Sequence, residues 1–224
     1  MAILKVSKEE WQNAQKGELQ IWLGEDSRGC NNDWNNWWFE KFEGYSTLPQ
    51  KINRAIELGC GPYTNIKWIL KTCKASEIYL SDPLIIQYSS MEHGWIKKAP
   101  LEYPANFIML NSPVEKISLA EVGHFNLVVM INVLDHVMDA TICMDIAMKL
   151  VGKKGFIVIG QDLTNQDDER RIGKDPLHPI RVDQEFMDKQ LVEFKPIFKK
   201  ILPRHEGRTH AHCGTYLFIG QKGE

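Results

Sequence analysis

The sequence predicts an α/β fold built on a doubly wound, mostly parallel sheet, and three observations carry this prediction. Five short runs of Ile, Leu, Val, Phe and Tyr are almost continuously apolar, as strands are when both faces of a sheet are covered. Helical patterns separate most of these runs, which is the alternation typical of a parallel α/β sheet. Two further strand-like segments near the C-terminus have only a loop between them, so we expect them to be antiparallel neighbours at one edge.

The predicted elements follow one another along the chain. Strands are expected at residues 55–58, 77–81, 107–110, 125–131 and 155–160, and the two antiparallel strands at 197–202 and 215–221. Helices are expected at residues 65–72, from the N-cap Asp139 to a stop at Gly152, and near residues 183–194. The polar segment 161–182 is expected to be a loop that leads from the fifth strand to the last helix.

The first fifty residues differ in character from the rest. Ser7 and Glu10 form an S-x-x-E capping box for a helix that carries Trp11. A second amphipathic stretch holds six aromatic residues, Trp34, Trp37, Trp38, Phe39, Phe42 and Tyr45. Such a stripe predicts a helical layer packed on the sheet, or a lid over a ligand pocket, and the two are compatible. We therefore divide the chain into an N-terminal helical extension or lid, residues 1–50, and a ligand-binding domain, residues 51–224.

Composition excludes several classes of protein. The chain has 224 residues, and its 27 Lys and Arg nearly cancel its 29 Asp and Glu, which weighs against disorder and against a nucleic-acid partner. Charged residues precede any apolar stretch long enough for a signal peptide, and no run approaches the ~20 apolar residues of a membrane span. The five cysteines are scattered and odd in number, as expected for reduced thiols. We expect a cytoplasmic protein with no membrane or nucleic-acid partner.

The most informative segment is A-I-E-L-G-C-G-P-Y-T-N, residues 55–65, in which a strand turns through Gly59 and Gly61 into a helix. Glycines let the backbone approach a bound molecule closely, and ligands of open α/β sheets lie beyond the carboxyl ends of the strands. The second strand ends in Asp82, at the distance along the chain where a carboxylate can bind both hydroxyls of a ribose. Together these features predict a nucleoside ligand.

The residues that are missing narrow the choice of nucleoside. Thr64 stands where a dinucleotide fingerprint has its third glycine, which disfavours NAD. No G-K-[ST] is present to hold a triphosphate and magnesium. S-adenosylmethionine (SAM) has a ribose and an adenine but no phosphate, and the carboxylate of Glu57 would repel a phosphate yet suit the ammonium group of SAM through water. The sequence therefore favours SAM as the cofactor.

Over residues 55–221 the chain resembles the class I SAM-dependent methyltransferases. The resemblance rests on E-L-G-C-G-P after the first strand, Asp82 after the second, N-S-P-V-E after the third and I-N-V-L-D-H-V after the fourth. It implies a Rossmann-like seven-stranded sheet with an antiparallel last strand and a SAM-binding domain at residues 51–224. More loosely, the chain is similar to stand-alone methyltransferases encoded beside bacterial surface-polysaccharide genes.

The resemblance also implies which residues bind the cofactor. The methionine end would contact Glu57, Gly59, Cys60 and Gly61, the ribose Asp82, the adenine Pro83 and Leu84, and the amino-acid moiety the backbone of Asn132. Asn111 and Ser112 stand where many members of the family carry an acid that meets the adenine amino group. We include both among the candidate cofactor-binding residues.

The acceptor is expected at the loops that open on the cofactor side, residues 133–139, 161–182 and 203–215. Candidate acceptor-binding residues are Asp162, Arg170, Arg204, His205, Arg208 and His212, and candidate general bases are His136, His178 and His210. Because arginine binds phosphate with its planar fork, these loops favour an anionic or multiply hydroxylated small molecule, such as a nucleotide-linked sugar or a phosphoryl metabolite. The alternative for any one of these residues is an ordinary solvated loop position, or for His136 a helix-start histidine bonded to nearby backbone.

No metal is predicted. The segment H-x-H-C at residues 210–213 has no partner pair at finger spacing, and Asn132, Asp135 and Asp162 lack the full acidic set of a magnesium site. The leading hypothesis is an O-methyltransferase of a small polar acceptor. The alternatives are N-methylation, methylation of RNA or protein, a non-catalytic SAM-binding or partner-binding module, and a nucleotide-dependent oxidoreductase.

Overall fold

The computed structural model describes residues 2–23, 35–92, 94–164, 175–207 and 213–224. Within these ranges one sheet contains seven strands: β1 (Lys51–Leu58), β2 (Lys74–Ser81), β3 (Asn106–Leu110), β4 (Phe125–Ile131), β5 (Val151–Asp162), β6 (Phe194–Leu202) and β7 (Thr215–Lys222). Their order is β3-β2-β1-β4-β5-β7-β6; β7 is antiparallel to both of its neighbours, and the other pairs are parallel. The predicted α/β fold with an antiparallel last strand is confirmed.

Helices connect the strands and cover the sheet. They are α1 (Lys8–Leu23), α2 (Asn35–Lys41), α3 (Ile66–Ile69), α4 (Ile85–Ser89), α5 (Ala99–Glu102), α6 (Leu119–Val122), α7 (Ala140–Leu150) and α8 (Gln184–Gln190), with 3₁₀ turns at Glu43–Thr47 and Val114–Lys116. Of the helices in the described ranges, none is both long and apolar enough to cross a membrane.

The central strands are apolar along their length because both faces of the sheet are covered. Successive residues of β1 belong to different cores: Ile56 packs in the core that contains α7, and Ala55 in the core that contains Trp38 of α2. This alternation follows from the pleat of a strand, which points neighbouring side chains to opposite faces. A near-continuous apolar run therefore predicts a strand between two helical layers, as observed.

Two helix starts match the capping signals in the sequence. The Ser7 amide donates to Glu10 Oε2 at 3.0 Å, and the Glu10 amide donates back to Ser7 Oγ at 3.1 Å, which is a complete capping box. The Asp139 carboxylate accepts from the amides of Thr141 and Ile142, both at 3.1 Å, at the start of α7.

Several element boundaries differ from the prediction. The helix expected at residues 65–72 is only the short α3, because the chain after it tightens into a turn in which the Thr72 amide donates to the Ile69 carbonyl at 3.0 Å. Gly152 does not end α7; it lies in β5, which begins directly after the helix. β5 also extends to Asp162, into the segment predicted as a loop, because Asp162 pairs with Thr215 of β7.

The aromatic stripe of the N-terminal extension packs on the sheet. A Cβ atom at Gly160 of β5 would lie 2.9 Å from the ring of Trp38 and 3.1 Å from that of Phe42, so only glycine leaves room for both rings. Trp38 is 1% exposed. Trp34, the first residue of the stripe, lies outside the described residues. The described part of the stripe therefore forms the helical layer.

Candidate ligand-binding site

A cavity of about 340 Å³ lies where the loops after β1 to β4 meet helix α1. It is lined by Gly59 to Tyr63 after β1, Asp82 and Pro83 after β2, Pro113 to Glu115 after β3, Asn132, Val133, His136 and Val137 after β4, His178, and Trp11, Gln15, Glu18 and Trp22 of α1, among others. Ligands of open α/β sheets bind at this edge, so the cavity lies where the topology places a site.

Two glycines shape the turn after β1. Gly59 and Gly61 have φ values of +64° and +55°, which side chains rarely tolerate. A Cβ atom at Gly59 would lie 2.6 Å from Cγ2 of Val133, whereas one at Gly61 would meet nothing within 4 Å. Gly59 is therefore required by the packing of the turn against the loop after β4, and Gly61 borders open space in the cavity.

Glu57 stabilises this turn through hydrogen bonds to its buried carboxylate. Its fully buried carboxylate accepts hydrogen bonds from the Asn65 amide at 2.7 Å, the Ile66 amide at 3.1 Å and the Thr64 hydroxyl. Burial raises the pKa of Glu57 to about 7, and these hydrogen bonds limit the rise. The sequence suggested that Glu57 meets the ammonium group of the ligand, but its oxygens are used inside the turn and it does not line the cavity.

Asp82 faces the cavity and joins the first two strand ends. One carboxylate oxygen accepts from the Gly61 amide at 3.0 Å and the other from the Leu84 amide at 2.8 Å. Burial raises the pKa of Asp82 to about 6, and the two backbone hydrogen bonds lower it. Pro83 lines the cavity beside it, whereas Leu84 contributes its amide to Asp82 and does not line the cavity.

Asn132 directly follows β4 and has a left-handed conformation, with φ of +56°. Its amide donates to the Gly160 carbonyl at 2.7 Å, and its side-chain oxygen accepts from the Asp162 amide at 3.4 Å. Asn132 lines the cavity, but Asp162 does not; the carboxylate of Asp162 accepts from the Thr215 hydroxyl at 2.9 Å and links β5 to β7.

Asn111 and Ser112 lie just outside the lining. The Ser112 carbonyl accepts from the Ser81 hydroxyl at 3.0 Å, which ties the loop after β3 to the end of β2. The three residues that follow, Pro113 to Glu115, border the cavity instead. The loop after β3 therefore borders the cavity through Pro113 to Glu115 and not through Asn111 and Ser112.

Three residues, Asp135, His136 and His178, lie close together, and we call them the histidine cluster; His136 and His178 line the cavity. The two imidazole rings have centroids 4.5 Å apart, and Nε2 of His136 is 3.9 Å from Oδ1 of Asp135. Burial lowers the pKa of His178, but the hydrogen bond to Asp175 at 2.7 Å and the charges of Asp135 and Asp175 outweigh it and raise this pKa to about 9. Burial raises the pKa of Asp135, and the two histidines together with a hydrogen bond from Gln161 bring it below its ordinary value.

Helix α1, which belongs to the segment expected to be an extension or lid, forms the roof of the cavity, but its lining residues were not among the predicted site residues. The Trp11 Nε1–H and the Gln15 side-chain amide both donate to the His136 carbonyl at 3.1 Å. Oε2 of Glu18 lies 3.9 Å from Nδ1 of His136, and the ring of Trp22 is 5.8 Å from that of Tyr63. A signal was present, because residues 11, 15, 18 and 22 recur at the spacing of one helix face.

The basic residues predicted to bind the acceptor are not brought to the cavity within the described ranges. Arg204 is exposed, and the side chain of His205 is 79% exposed beside Glu206; neither lines the cavity. Arg170, Arg208, His210 and His212 lie outside the described residues. The described lining contains acids, among them Glu18, and no lysine or arginine. The described lining therefore does not supply the arginine side chains expected for an anionic acceptor.

No protein-family model and no curated protein sequence matches the chain. Among solved structures, N-methyltransferase NodS from Bradyrhizobium japonicum in complex with S-adenosyl-L-homocysteine (SAH) is similar, with 17% identity, a TM-score of 0.67, and 95% of this chain and 100% of that chain covered. The Burkholderia thailandensis 1,6-didemethyltoxoflavin-N1-methyltransferase, with bound 1,6-didemethyltoxoflavin and SAH, gives 12% identity, a TM-score of 0.65, and coverage of 100% and 94%. A SAM-dependent methyltransferase from Clostridium acetobutylicum gives 9% identity, a TM-score of 0.58, and coverage of 94% and 98%. The fold of this chain is thus the Rossmann-like methyltransferase fold.

Proposed function

We propose that this protein is a SAM-dependent methyltransferase that acts on a small polar acceptor. One observation carries the proposal: a single cavity is lined both by the glycine turn with Asp82 and Asn132, which we call its first end, and by His136 and His178 of the histidine cluster, which we call its second end. A methyl donor and its acceptor must lie in one cavity, because transfer is an in-line displacement whose rate depends on positioning. The solved structures of similar fold that contain SAH support this choice of cofactor.

The first end of the cavity fits SAM. Each oxygen of Asp82 accepts one backbone N–H, which leaves lone pairs on both oxygens for the two ribose hydroxyls. The open space above Gly61 is room that a side chain would fill. Glu18, Asp82 and Glu115 give this cavity a negative field that suits a sulfonium ion. When bound, SAM supplies an electrophilic methyl group on sulfur.

At the second end the acceptor would contact His136, His178 and the roof formed by α1. We propose transfer to a hydroxyl oxygen, as on a sugar, with His136 as the candidate to take its proton and His178, whose pKa is raised to about 9, as a donor that holds the oxygen. Nucleotide-linked sugars and phosphoryl metabolites stay within this proposal as substrates to be tried. N-methylation is the second candidate, because the acidic lining of the cavity suits an amine.

Calorimetric titration with SAH tests the cofactor site. We expect the wild-type protein to bind SAH, and Asp82→Asn to bind about tenfold or more weakly, since hydrogen bonds to a charged group are lost. The exposed Glu121→Gln is the matched control and should bind like wild type. Absence of heat with wild-type protein would overturn the proposal.

Transfer of a labelled methyl group from SAM then tests the acceptor class. The panel compares neutral sugars, nucleotide-linked sugars, phosphoryl metabolites and small amines. Label on a sugar hydroxyl supports O-methylation, and label on an amine supports the second candidate. SAH binding without transfer to any of these would instead support a non-catalytic SAM-binding module.

A further inference from the structure

The histidine cluster has the composition of a metal site. One donor atom from each of Asp135, His136 and His178 lies within 4.8 Å of the other two. Two imidazoles with one carboxylate form a ligand set used for divalent transition metals, whereas Mg²⁺ and Ca²⁺ prefer oxygen ligands alone. We propose that the histidine cluster binds a divalent transition-metal ion, for which Zn²⁺ is the probe.

The distances suit a shared ion better than direct hydrogen bonds. Nε2 of His136 and Oδ1 of Asp135 are 3.9 Å apart, which is too far for a hydrogen bond between them. Two ligand atoms that each lie about 2.1 Å from a tetrahedral Zn²⁺ are about 3.4 Å apart, so small side-chain rotations would bring these atoms into range.

Neighbouring residues orient the proposed ligands. Nδ1 of His178 is 2.7 Å from Asp175 Oδ2, which leaves Nε2 for the metal and forms the carboxylate–histidine–metal arrangement common in zinc sites. The Gln161 side-chain amide donates to Oδ1 of Asp135 at 3.1 Å, and Gln161 is itself fixed by the Leu134 amide at 3.0 Å. The cluster is therefore supported by a second set of hydrogen bonds, as a built metal site is.

Three protein ligands leave a coordination position open. Because His136 and His178 line the cavity and Asp135 lies behind them, the open position would face the cavity. There the ion would bind an oxygen or nitrogen of the acceptor and lower the pKa of a bound hydroxyl. This acceptor role rests on the proposed function, whereas the metal site itself does not.

Metal titration of tag-free protein, first treated with EDTA, tests the site. We expect one equivalent of Zn²⁺ by calorimetry, and one equivalent of Co²⁺ with the visible absorption of a site that includes histidine ligands. His178→Ala should abolish this binding, and Asp135→Asn should weaken it at least tenfold while preserving side-chain shape. Asp175→Asn should weaken it about 10- to 100-fold, because it orients His178.

Two controls decide where any bound metal lies. His124→Ala removes an exposed histidine outside the cluster and should leave binding unchanged. Cys213→Ser tests the H-x-H-C segment at residues 210–213, and should also leave binding unchanged. The proposal is overturned if wild type binds no Zn²⁺, if His178→Ala and Asp135→Asn bind it like wild type, or if Cys213→Ser abolishes binding.

Titration of the same variants with SAH separates this proposal from the proposed function. Variants that lose Zn²⁺ but keep SAH binding are folded and have lost only the metal site. A wild-type protein that binds Zn²⁺ but no SAH would keep the metal site and refute the methyltransferase proposal. A wild-type protein that binds SAH but no Zn²⁺ would refute the metal site and keep the methyltransferase proposal.

Discussion

The two ends of the cavity are built in different ways. The glycine-turn end is made from backbone: Gly59 and Gly61 have positive φ, and the carboxylates of Glu57 and Asp82 accept backbone amides. The histidine-cluster end is made from side chains of distant segments, such as Trp11, whose contact with His136 spans 125 positions of the chain. The glycine turn is therefore specified locally by one motif, which Asp82 joins from the next strand, whereas the histidine-cluster end is specified only by the assembled fold.

This difference predicts which end of the cavity tolerates amino-acid substitutions. A turn in a restricted conformation has few acceptable substitutions, because a side chain costs energy whatever the ligand is. An end assembled from single side chains can lose one of them and keep its fold. The following predictions test this contrast, from the largest expected effect to the smallest.

Gly59→Ala should be the most damaging of the substitutions in this set. It places Cβ 2.6 Å from Val133 at a φ of +64°, so left-handed strain of ~1–2 kcal/mol and overpacking of ~1–3 kcal/mol should add. We expect urea unfolding to show a loss of about 2–5 kcal/mol. Gly61→Ala, which has open space, should lose only the conformational part yet weaken SAH binding. Equal stability of the two variants would contradict the packing argument.

The free energy of unfolding should fall as the pH rises, because the buried Glu57 loses its proton. Its pKa is about 7 in the folded chain against 4.5 for the free side chain, so the folded state binds more protons between these values. The stabilisation is complete below about pH 4.5 and is lost by about pH 7, on the order of 3 kcal/mol at 1.36 kcal/mol per unit.

The measurement is urea unfolding between pH 4.5 and pH 8 of wild type and Glu57→Gln. The variant should lack this fall in stability, while Glu121→Gln should show the wild-type slope. Asp82 contributes in the same direction between its ordinary value of 3.8 and about 6, so Asp82→Asn measures its separate share. A wild-type slope in Glu57→Gln would show that this carboxyl titrates normally.

Substitutions in the roof formed by α1 should weaken binding of the acceptor and leave binding of the cofactor unchanged. Trp11→Phe combined with Gln15→Ala removes both hydrogen bonds to the His136 carbonyl, each worth ~0.5–1.5 kcal/mol. We expect the acceptor KM to rise about threefold to tenfold and SAH affinity to stay within about twofold. Gln12→Ala, on the exposed side of α1, is the control. A larger loss of SAH affinity than of acceptor binding would reverse the assignment of the two ends.

Arg204→Ala should have the smallest effect. Its side chain is exposed and does not line the cavity, so acceptor KM and SAH affinity should both match wild type. Sequence analysis placed Arg204 among the candidate acceptor-binding residues, and loss of such a residue would raise the acceptor KM. A raised KM would restore the anionic acceptor and show that the loop after β6 reaches the site during turnover.

The fold could be predicted because the local amino-acid composition of a segment indicates whether it forms a buried strand. The runs that became β1, β4 and β5 are apolar on both faces, and the capping box at Ser7 follows from two residues. The strand ends could not be predicted as well, because pairing with a neighbouring strand extends β5 to Asp162. Register partners lie far away in sequence and leave no local signal.

The candidate site was predictable where backbone geometry fixes residue type. Gly59 and Gly61 are recognisable because few residues tolerate a positive φ, and Asp82 because it follows the next strand at the spacing expected of a ribose ligand. The role of Glu57 inside the turn and the pairing of His136 with His178 needed coordinates, since charge alone does not say which way a side chain points. Exposed Arg204 shows the converse, because a polar loop at the correct edge need not turn inward.

The short stretch before α1 has a practical consequence. The Ile3 amide donates to the Arg181 carbonyl at 3.0 Å, and the Val6 amide donates to the Met138 carbonyl at 3.0 Å. These two backbone hydrogen bonds attach residues 3–6 to the loops that carry His178 and His136. Fusion partners and affinity tags are therefore better attached at the C-terminus. A large group attached before Ile3 would disturb these hydrogen bonds and, through the loops, the positions of both imidazole rings.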